Sequence, residues 1–229
     1  MSKGTLYGVG VGPGDPELMT VKAWRLVSMA KVIAYLSANG GESTARKIAA
    51  PFVAEDVEEI AIDVPMKVER APAMAAYDEG AGRITTKLDQ GQDVVMLCEG
   101  DPFFYGSFIY VFERLASKFT TVIVPGVTSI TAAAAEMGQP LCMRDDVLKV
   151  LPATLPADRL REELMTAQSA AIIKVGRHFG KVRTILSALD LISRATAIEN
   201  ATHEGQRIRK LEEIGEDTLP YFTTIIVRA

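Results

Sequence analysis

Only two cysteines, two histidines and one tryptophan occur among the 229 residues. Cys98 falls inside the apolar run Val94–Cys98, and Cys142 lies far from it. There is no C-x-x-C pair and no His/Cys cluster at ligand spacing, so neither a structural zinc site nor a disulfide framework is expected. An excess of basic charge is also missing. The 25 Lys and Arg stand against 29 Asp and Glu, a formal net charge of -4. No basic stripe laced with aromatics runs through the chain, so a nucleic-acid partner is not expected. No apolar run reaches the length of a membrane span, and Met1–Gly4 leads into an expected strand without a secretory pattern. A cytoplasmic protein with no membrane partner is the expectation. Low-complexity sequence is absent.

What is present is an alternation of short apolar runs and helical patterns, in a chain 48% hydrophobic and 24% charged. Thr5–Val11 reads as a strand running into G-V-G-V-G-P-G-D-P at Gly8–Pro16, with Leu18, Val21, Leu26 and Met29 near helical spacing behind it. Val32–Leu36 is expected as a strand, Ser43–Ala50 as a helix and Val57–Ile62 as a strand. Residues 65–72 should form a loop, followed by a helix over Ala73–Leu88. Val94–Cys98 is continuous enough for a strand buried on both faces. Gly100-Asp101-Pro102 breaks it before a helix over Phe108–Leu115. Phe119–Val124 is a strand ended by Pro125-Gly126, and Ser129–Met137 a small-residue helix. Such alternation predicts a mostly parallel sheet. After Gly138-Gln139-Pro140 the rhythm changes. Strands are expected at Val147–Leu151, Ala170–Val175, Ala195–Asn200 and Phe222–Arg228, with helices at Ala157–Met165 and Lys181–Ala188. The fold class is therefore α/β, with two α/β domains at 1–143 and 144–229 and a cleft between them.

The loops carry the chemistry. Gly-Asp-Pro occurs at Gly14–Pro16 and again at Gly100–Pro102, each after a strand. Open α/β sheets bind ligands at that carboxyl edge. Asp101 can accept backbone N–H bonds there, or it can simply cap the helix that follows. The N-terminal loop fails the dinucleotide spacing: Pro13 removes a donor, Asp15 puts a negative charge at the pyrophosphate position, and Val32–Ser37 carries no acid. A nicotinamide cofactor is disfavoured. Gly176–Lys181 is too short for a phosphate loop and lacks its Ser/Thr. Lys174, Arg177, His178 and Lys181 form either a receptor for carboxylates or a solvated helix start. Glu199-Asn200-Ala201-Thr202 ends another strand in a polar turn whose small residue can admit a flat ring.

Taken in order, Tyr7–Asp15 (Y-G-V-G-V-G-P-G-D), Glu99–Gly106 (E-G-D-P-F-F-Y-G), Pro125–Ser129 (P-G-V-T-S) and Glu199–Thr202 (E-N-A-T) resemble the motifs of the tetrapyrrole methylase family, over nearly the whole chain. The resemblance implies a class III-type methyltransferase of two α/β domains. It also implies a kidney-shaped homodimer, with S-adenosylmethionine folded into the cleft and S-adenosylhomocysteine as its product. Gly8–Ala23, Val64-Pro65-Met66 and Leu151-Pro152-Ala153-Thr154 look like the family's branch that methylates C20 of precorrin-2 in cobalamin biosynthesis. By motif, the cofactor positions fall on Pro13, Glu99, Gly100, Asp101, Phe104, Thr128, Ser129, Val175 and Ala201. The substrate side falls on Gly10, Gly12, Asp15 and Met66, with Arg144, Lys149, Lys174 and Arg177 as partners for the ring carboxylates. Leu36 stands where relatives that make sirohaem carry an acid, which favours a corrin-pathway position. No base stands out; Tyr105 and Glu99 are the nearest polar candidates, and water can serve instead. No resident metal is implied, since a cobalt-bearing substrate would bring its own. Methylation of the cobalt complex or of another ring carbon is the nearest rival, and a non-catalytic tetrapyrrole carrier is the rival of a different class.

Overall fold

The computed structural model describes residues 2–67, 69–215 and 218–228. The chain divides into two compact units, Met1–Thr128 and Ser129–Ala229. The division falls ahead of the boundary expected near Met143, and the cause is the small-residue helix. Ala133 and Ala134 pack with Ile198, Ala201 and Ile226 of the later strands, so that helix belongs with the second unit.

In the first unit the strands are β1 (Leu6–Gly10), β2 (Val32–Ala38), β3 (Glu58–Val64), β4 (Val94–Cys98) and β5 (Thr121–Val124). The helices are α1 (Val21–Met29), α2 (Thr44–Ala49), α3 (Arg70–Asp89) and α4 (Phe108–Leu115). The strands form one sheet in the order β3-β2-β4-β1-β5, every pair parallel. β4 alternates its side chains between two cores. Met96 and Cys98 pack among Tyr77, Ile84, Phe108 and Val111 of α3 and α4. Val95 and Leu97 pack among Ala23, Val27 and Ile48 of α1 and α2. All five β4 residues are buried, as a strand covered on both faces requires. α3 begins at Arg70, earlier than expected, and takes Pro72 into its first turn, where a missing N–H breaks no helical hydrogen bond.

The second unit contains α5 (Ser129–Glu136), β6 (Leu148–Pro152), α6 (Ala157–Met165), β7 (Ser169–Ile173), α7 (Phe179–Ala188), β8 (Ala195–Glu199), β9 (Arg207–Lys210) and β10 (Thr223–Arg228). Its sheet order is β6-β7-β10-β8-β9. β6 and β7 are parallel, and β10 runs antiparallel to both β7 and β8. The carboxyl ends of β7 and β8 therefore share one sheet edge with the amino end of β10. β9 was not expected: Arg-Ile-Arg-Lys carries one apolar residue, and among the described residues it is an edge strand paired with β8. Charge on an edge strand discourages pairing with other chains and hides the strand from a hydrophobicity reading. Among the described residues no helix is long and apolar enough to cross a membrane. No group of three or more His, Cys, Asp or Glu is placed to hold a metal ion among them.

Candidate functional site

β1, β4 and β5 end level with one another, Gly10 beside Cys98 and Val9 beside Val124. The loops after β1 and β4 are joined by backbone hydrogen bonds, and the loop after β5 packs against both. Val11 N–H donates to Cys98 O at 2.9 Å. Gly12 N–H donates to Gly100 O at 3.3 Å, and Gly100 N–H to Gly12 O at 2.8 Å. A Cβ on Gly10 would lie 2.5 Å from Gly100 O, and one on Gly126 only 2.0 Å from the same oxygen. Glycine at these two positions is a steric requirement. Gly12 and Gly100 also adopt left-handed backbone, with φ of 82° and 64°.

Asp101 locks the arrangement. Its Oδ1 accepts from Phe103 N–H at 2.9 Å, within its own loop. Its Oδ2 accepts from Gly126 N–H at 3.0 Å, across to the loop after β5. Asp101 therefore acts on the site by fixing two loops. Asp15 has a related part: its Oδ1 accepts from Glu17 N–H at 2.8 Å and caps the 3-10 turn Pro16–Leu18, with Pro13 and Gly14 buried just before it. Past Asp101, Phe104 and Tyr105 pack edge to face at 5.2 Å, and Tyr105 is 44% exposed with φ of 55°. Thr128 closes the loop after β5, and Ser129 is the first residue of α5. Met66 exposes its side chain in the loop after β3, where its N–H donates to Asn39 Oδ1 at 2.9 Å.

Glu99 sits between the paired Cys98 and the bridged Gly100, partly buried. Desolvation raises its carboxyl from the ordinary range to about 7. Burial likewise pushes the Cys98 thiol up, so it stays protonated.

In the second unit the motif positions gather on the shared edge of β7, β8 and β10. Val175 is fully buried and follows Lys174, whose φ is 57°. Ala201 lies between two further left-handed residues, Asn200 at 50° and Thr202 at 65°. A β-branched residue such as Thr202 is rarely found there, and strain of this kind is maintained only where surrounding bonds impose it. Here they do. Asn200 N–H donates to Phe222 O at 2.8 Å, and Thr202 N–H to Gln206 Oε1 at 2.6 Å. Gln206 Nε2 in turn donates to Glu136 Oε2 of α5 at 2.7 Å. Glu199 is buried and accepts from Arg209 Nε at 3.0 Å. Sequence reasoning missed Gln206, Glu136 and Arg209. The only signal was the acid ending the buried strand β8, which needed a basic partner.

The four basic candidates do not share one situation. Lys149 is corrected by the structure. Its ammonium donates to Glu163 O at 2.9 Å, Glu163 Oε2 at 3.0 Å and Thr166 Oγ1 at 2.6 Å, so all three hydrogens tie β6 to α6 and none is left for a ligand carboxylate. Arg177 and Arg144 are exposed, and neither has an ion-pair partner among the described residues. Arg144 stands in the turn before β6, whereas Arg177 follows Val175 and Gly176 at the β7 end of the edge. Beside it, desolvation and the charges of Lys181 and Arg177 lower the pKa of His178.

Residues 5–215 match the family described as Tetrapyrrole (Corrin/Porphyrin) Methylases. The chain is 44% identical over 230 residues to the cobalamin biosynthesis protein CobIJ of Mycobacterium tuberculosis, covering 97% of this chain and 45% of that protein. It thus spans about half the length of that relative. It is 34% identical over 232 residues to a precorrin-2 C(20)-methyltransferase of Sinorhizobium sp., covering 98% of this chain and 95% of that one. The crystal structure of uroporphyrin-III C-methyl transferase from Thermus thermophilus complexed with S-adenyl homocysteine shares the fold. Its TM-score is 0.72 at 24% identity, covering 98% of this chain and 97% of that one.

Proposed function

The chain belongs to the tetrapyrrole (corrin/porphyrin) methylases, and on that premise we propose that it transfers a methyl group from S-adenosylmethionine to C20 of precorrin-2, giving precorrin-3A in cobalamin biosynthesis. The observation that carries the choice of C20 is the end-to-end likeness to the Sinorhizobium methyltransferase, which leaves no large part of either chain unmatched.

The residues present suit the cofactor. At the first sheet Gly10 and Gly126 let the loops pack backbone against backbone, while a Cβ on Gly100 would meet only Val127 O at 3.9 Å, so Gly100 is where a ligand can approach bare backbone. Pro13, Glu99, Gly100, Asp101, Phe104 and Thr128 then contribute from that edge, Glu99 through its backbone alone and Asp101 by holding the loops in register. Gly100 has both its N–H and its C=O engaged by Gly12, so it offers a ligand mainly its bare Cα. Ser129, Val175 and Ala201 contribute from the second unit, where the small, buried Val175 and Ala201 suit a flat ring. Bound S-adenosylmethionine supplies an electrophilic methyl group. The protein's part is to align the ring carbon with it, and well-aligned pairs reach effective molarities of about 10⁵ M or more. Gly10, Gly12, Asp15 and Met66 lie on the loops assigned to the substrate. Arg144, Lys174 and Arg177 are assigned to the ring carboxylates, and the assembly is proposed to be a homodimer.

Anaerobic incubation with methyl-labelled S-adenosylmethionine and metal-free precorrin-2, read by mass spectrometry and NMR of the pigment, tests this. One labelled methyl at C20, with S-adenosylhomocysteine released, is the expected result. Label only on the cobalt complex, or at another carbon, would move the substrate assignment. No label on any pigment would overturn it.

A further inference from the structure

Three acidic side chains stand on the two Gly-rich loops of the first sheet: Asp15, Glu99 and Asp101. Two are engaged by backbone, Asp15 by Glu17 N–H and Asp101 by Phe103 and Gly126 N–H. No described residue donates a hydrogen bond to the Glu99 carboxyl or pairs with it, and its one perturbation is desolvation. The residues whose backbones close around this edge are Gly10, Gly12, Gly100 and Gly126, which have no side chain to offer a donor. Glu99 itself is pinned, with Cys98 paired to Gly10 on one side and Gly100 bridged to Gly12 on the other. A partly buried carboxyl without a donor, on a backbone held at both neighbouring residues, is a poor place for a lasting negative charge and a good place for a proton.

Resting on C20 methylation as proposed above, we infer that Glu99 is the catalytic base that takes the proton from C20. Addition of the methyl leaves C20 bearing both the new carbon and its original hydrogen, and the ring short of one electron pair. The C20–H bond then breaks. Its electron pair returns to the conjugated ring, and the proton passes to a Glu99 carboxylate oxygen, from which water removes it before the next turnover. No other reactant is needed. Burial sets the carboxyl near 7, where an acceptor is both substantially ionised and basic enough to act at neutral pH. The other titratable groups near this edge do not compete. Asp15 and Asp101 are engaged, Cys98 is held protonated by burial, and Tyr105 lies on the outer loop, 44% exposed and packed edge to face on Phe104.

Glu99→Gln keeps the shape and removes the acceptor. In the wild type, turnover at saturating substrates should rise with pH through about 7. The variant should lose that rise and at least tenfold to a hundredfold in kcat at pH 8. Its affinity for S-adenosylhomocysteine by calorimetry should stay within about twofold, since packing is kept. A second readout needs no turnover. A carboxyl whose folded pKa is raised contributes stability that is full below its unfolded value of 4.5 and is lost as pH rises through about 7. The melting temperatures of wild type and Glu99→Gln should therefore agree near pH 4.5 and separate by pH 8, with the variant higher. An unchanged pH–rate profile and kcat in the variant would overturn the assignment. So would a large loss of S-adenosylhomocysteine affinity with turnover at saturation unchanged, which would make the Glu99 carboxyl, and not only its backbone, a cofactor ligand. Absence of labelled methyl at C20 in the wild type would overturn the parent reading and this assignment together, so the two failures are told apart.

Discussion

The two sheet edges shape their backbones by opposite means. In the first unit side chains are deleted. Gly10 and Gly126 meet Gly100 where a Cβ on either would strike the Gly100 carbonyl or the other's Cα, and Asp101 binds the loops together. In the second unit side chains are retained and the backbone is forced. Lys174, Asn200 and Thr202 adopt left-handed φ, and the Thr202 turn is held by Gln206 and, behind it, Glu136. The first edge is limited by space and the second by strain. Substitutions should accordingly fail in the first by collision and in the second by release.

The largest effect is expected from Gly126→Ala. Its methyl would sit 2.0 Å from Gly100 O and 2.9 Å from Gly10 Cα, both backbone atoms that cannot rotate away. Overpacking should cost about 3 kcal/mol or more, seen as a large fall in urea midpoint and loss of S-adenosylhomocysteine binding. A variant that melts and binds like the wild type would dissolve the contrast. Asp101→Ala comes next. Hydrogen bonds to a charged group contribute about 1.5–3 kcal/mol each, and here two are lost at a partly exposed site. A loss of about 2–3 kcal/mol in stability should accompany at least a tenfold weaker affinity. Affinity lost with stability intact would make Asp101 a direct ligand instead. Gln206→Ala should be milder, about 1 kcal/mol, because the turn can relax. Its S-adenosylhomocysteine affinity should fall a few-fold while kcat at saturation holds. Gly82→Ala is the smallest change, with the opposite sign. Gly82 lies inside α3 with no atom within 4 Å of a new Cβ, so helix propensity alone should add about 0.5–1 kcal/mol.

The same contrast explains what could be seen in the sequence. The first edge was largely legible, because glycine, proline and aspartate in fixed order after apolar runs have few structural meanings. That Asp101 would accept backbone N–H bonds followed from its type and place. That one of them comes from Gly126 did not, because contact between distant loops leaves no local trace. The second edge was legible only in outline. Left-handed φ at Asn200 and Thr202 violates local preference and is held by Phe222 O and by the Gln206 side chain, neither of which is marked by any local pattern. β9 was missed because three of its four residues are charged, and Lys149 was assigned to a ligand because its partners on α6 lie a helix away. The division at Thr128 had the same origin: a helix of alanines gives no sign of which sheet it will cover.

The most direct measurement is backbone amide hydrogen exchange, read by mass spectrometry, with and without saturating S-adenosylhomocysteine. Slowed exchange should concentrate in the loops at residues 10–15, 99–105 and 125–129, and in the turns at 174–177 and 199–203. The outer faces of α3 and α6 should be unchanged. Saturable binding that leaves those loops exchanging as before, with protection elsewhere, would contradict the proposed assignment of cofactor positions to these loops.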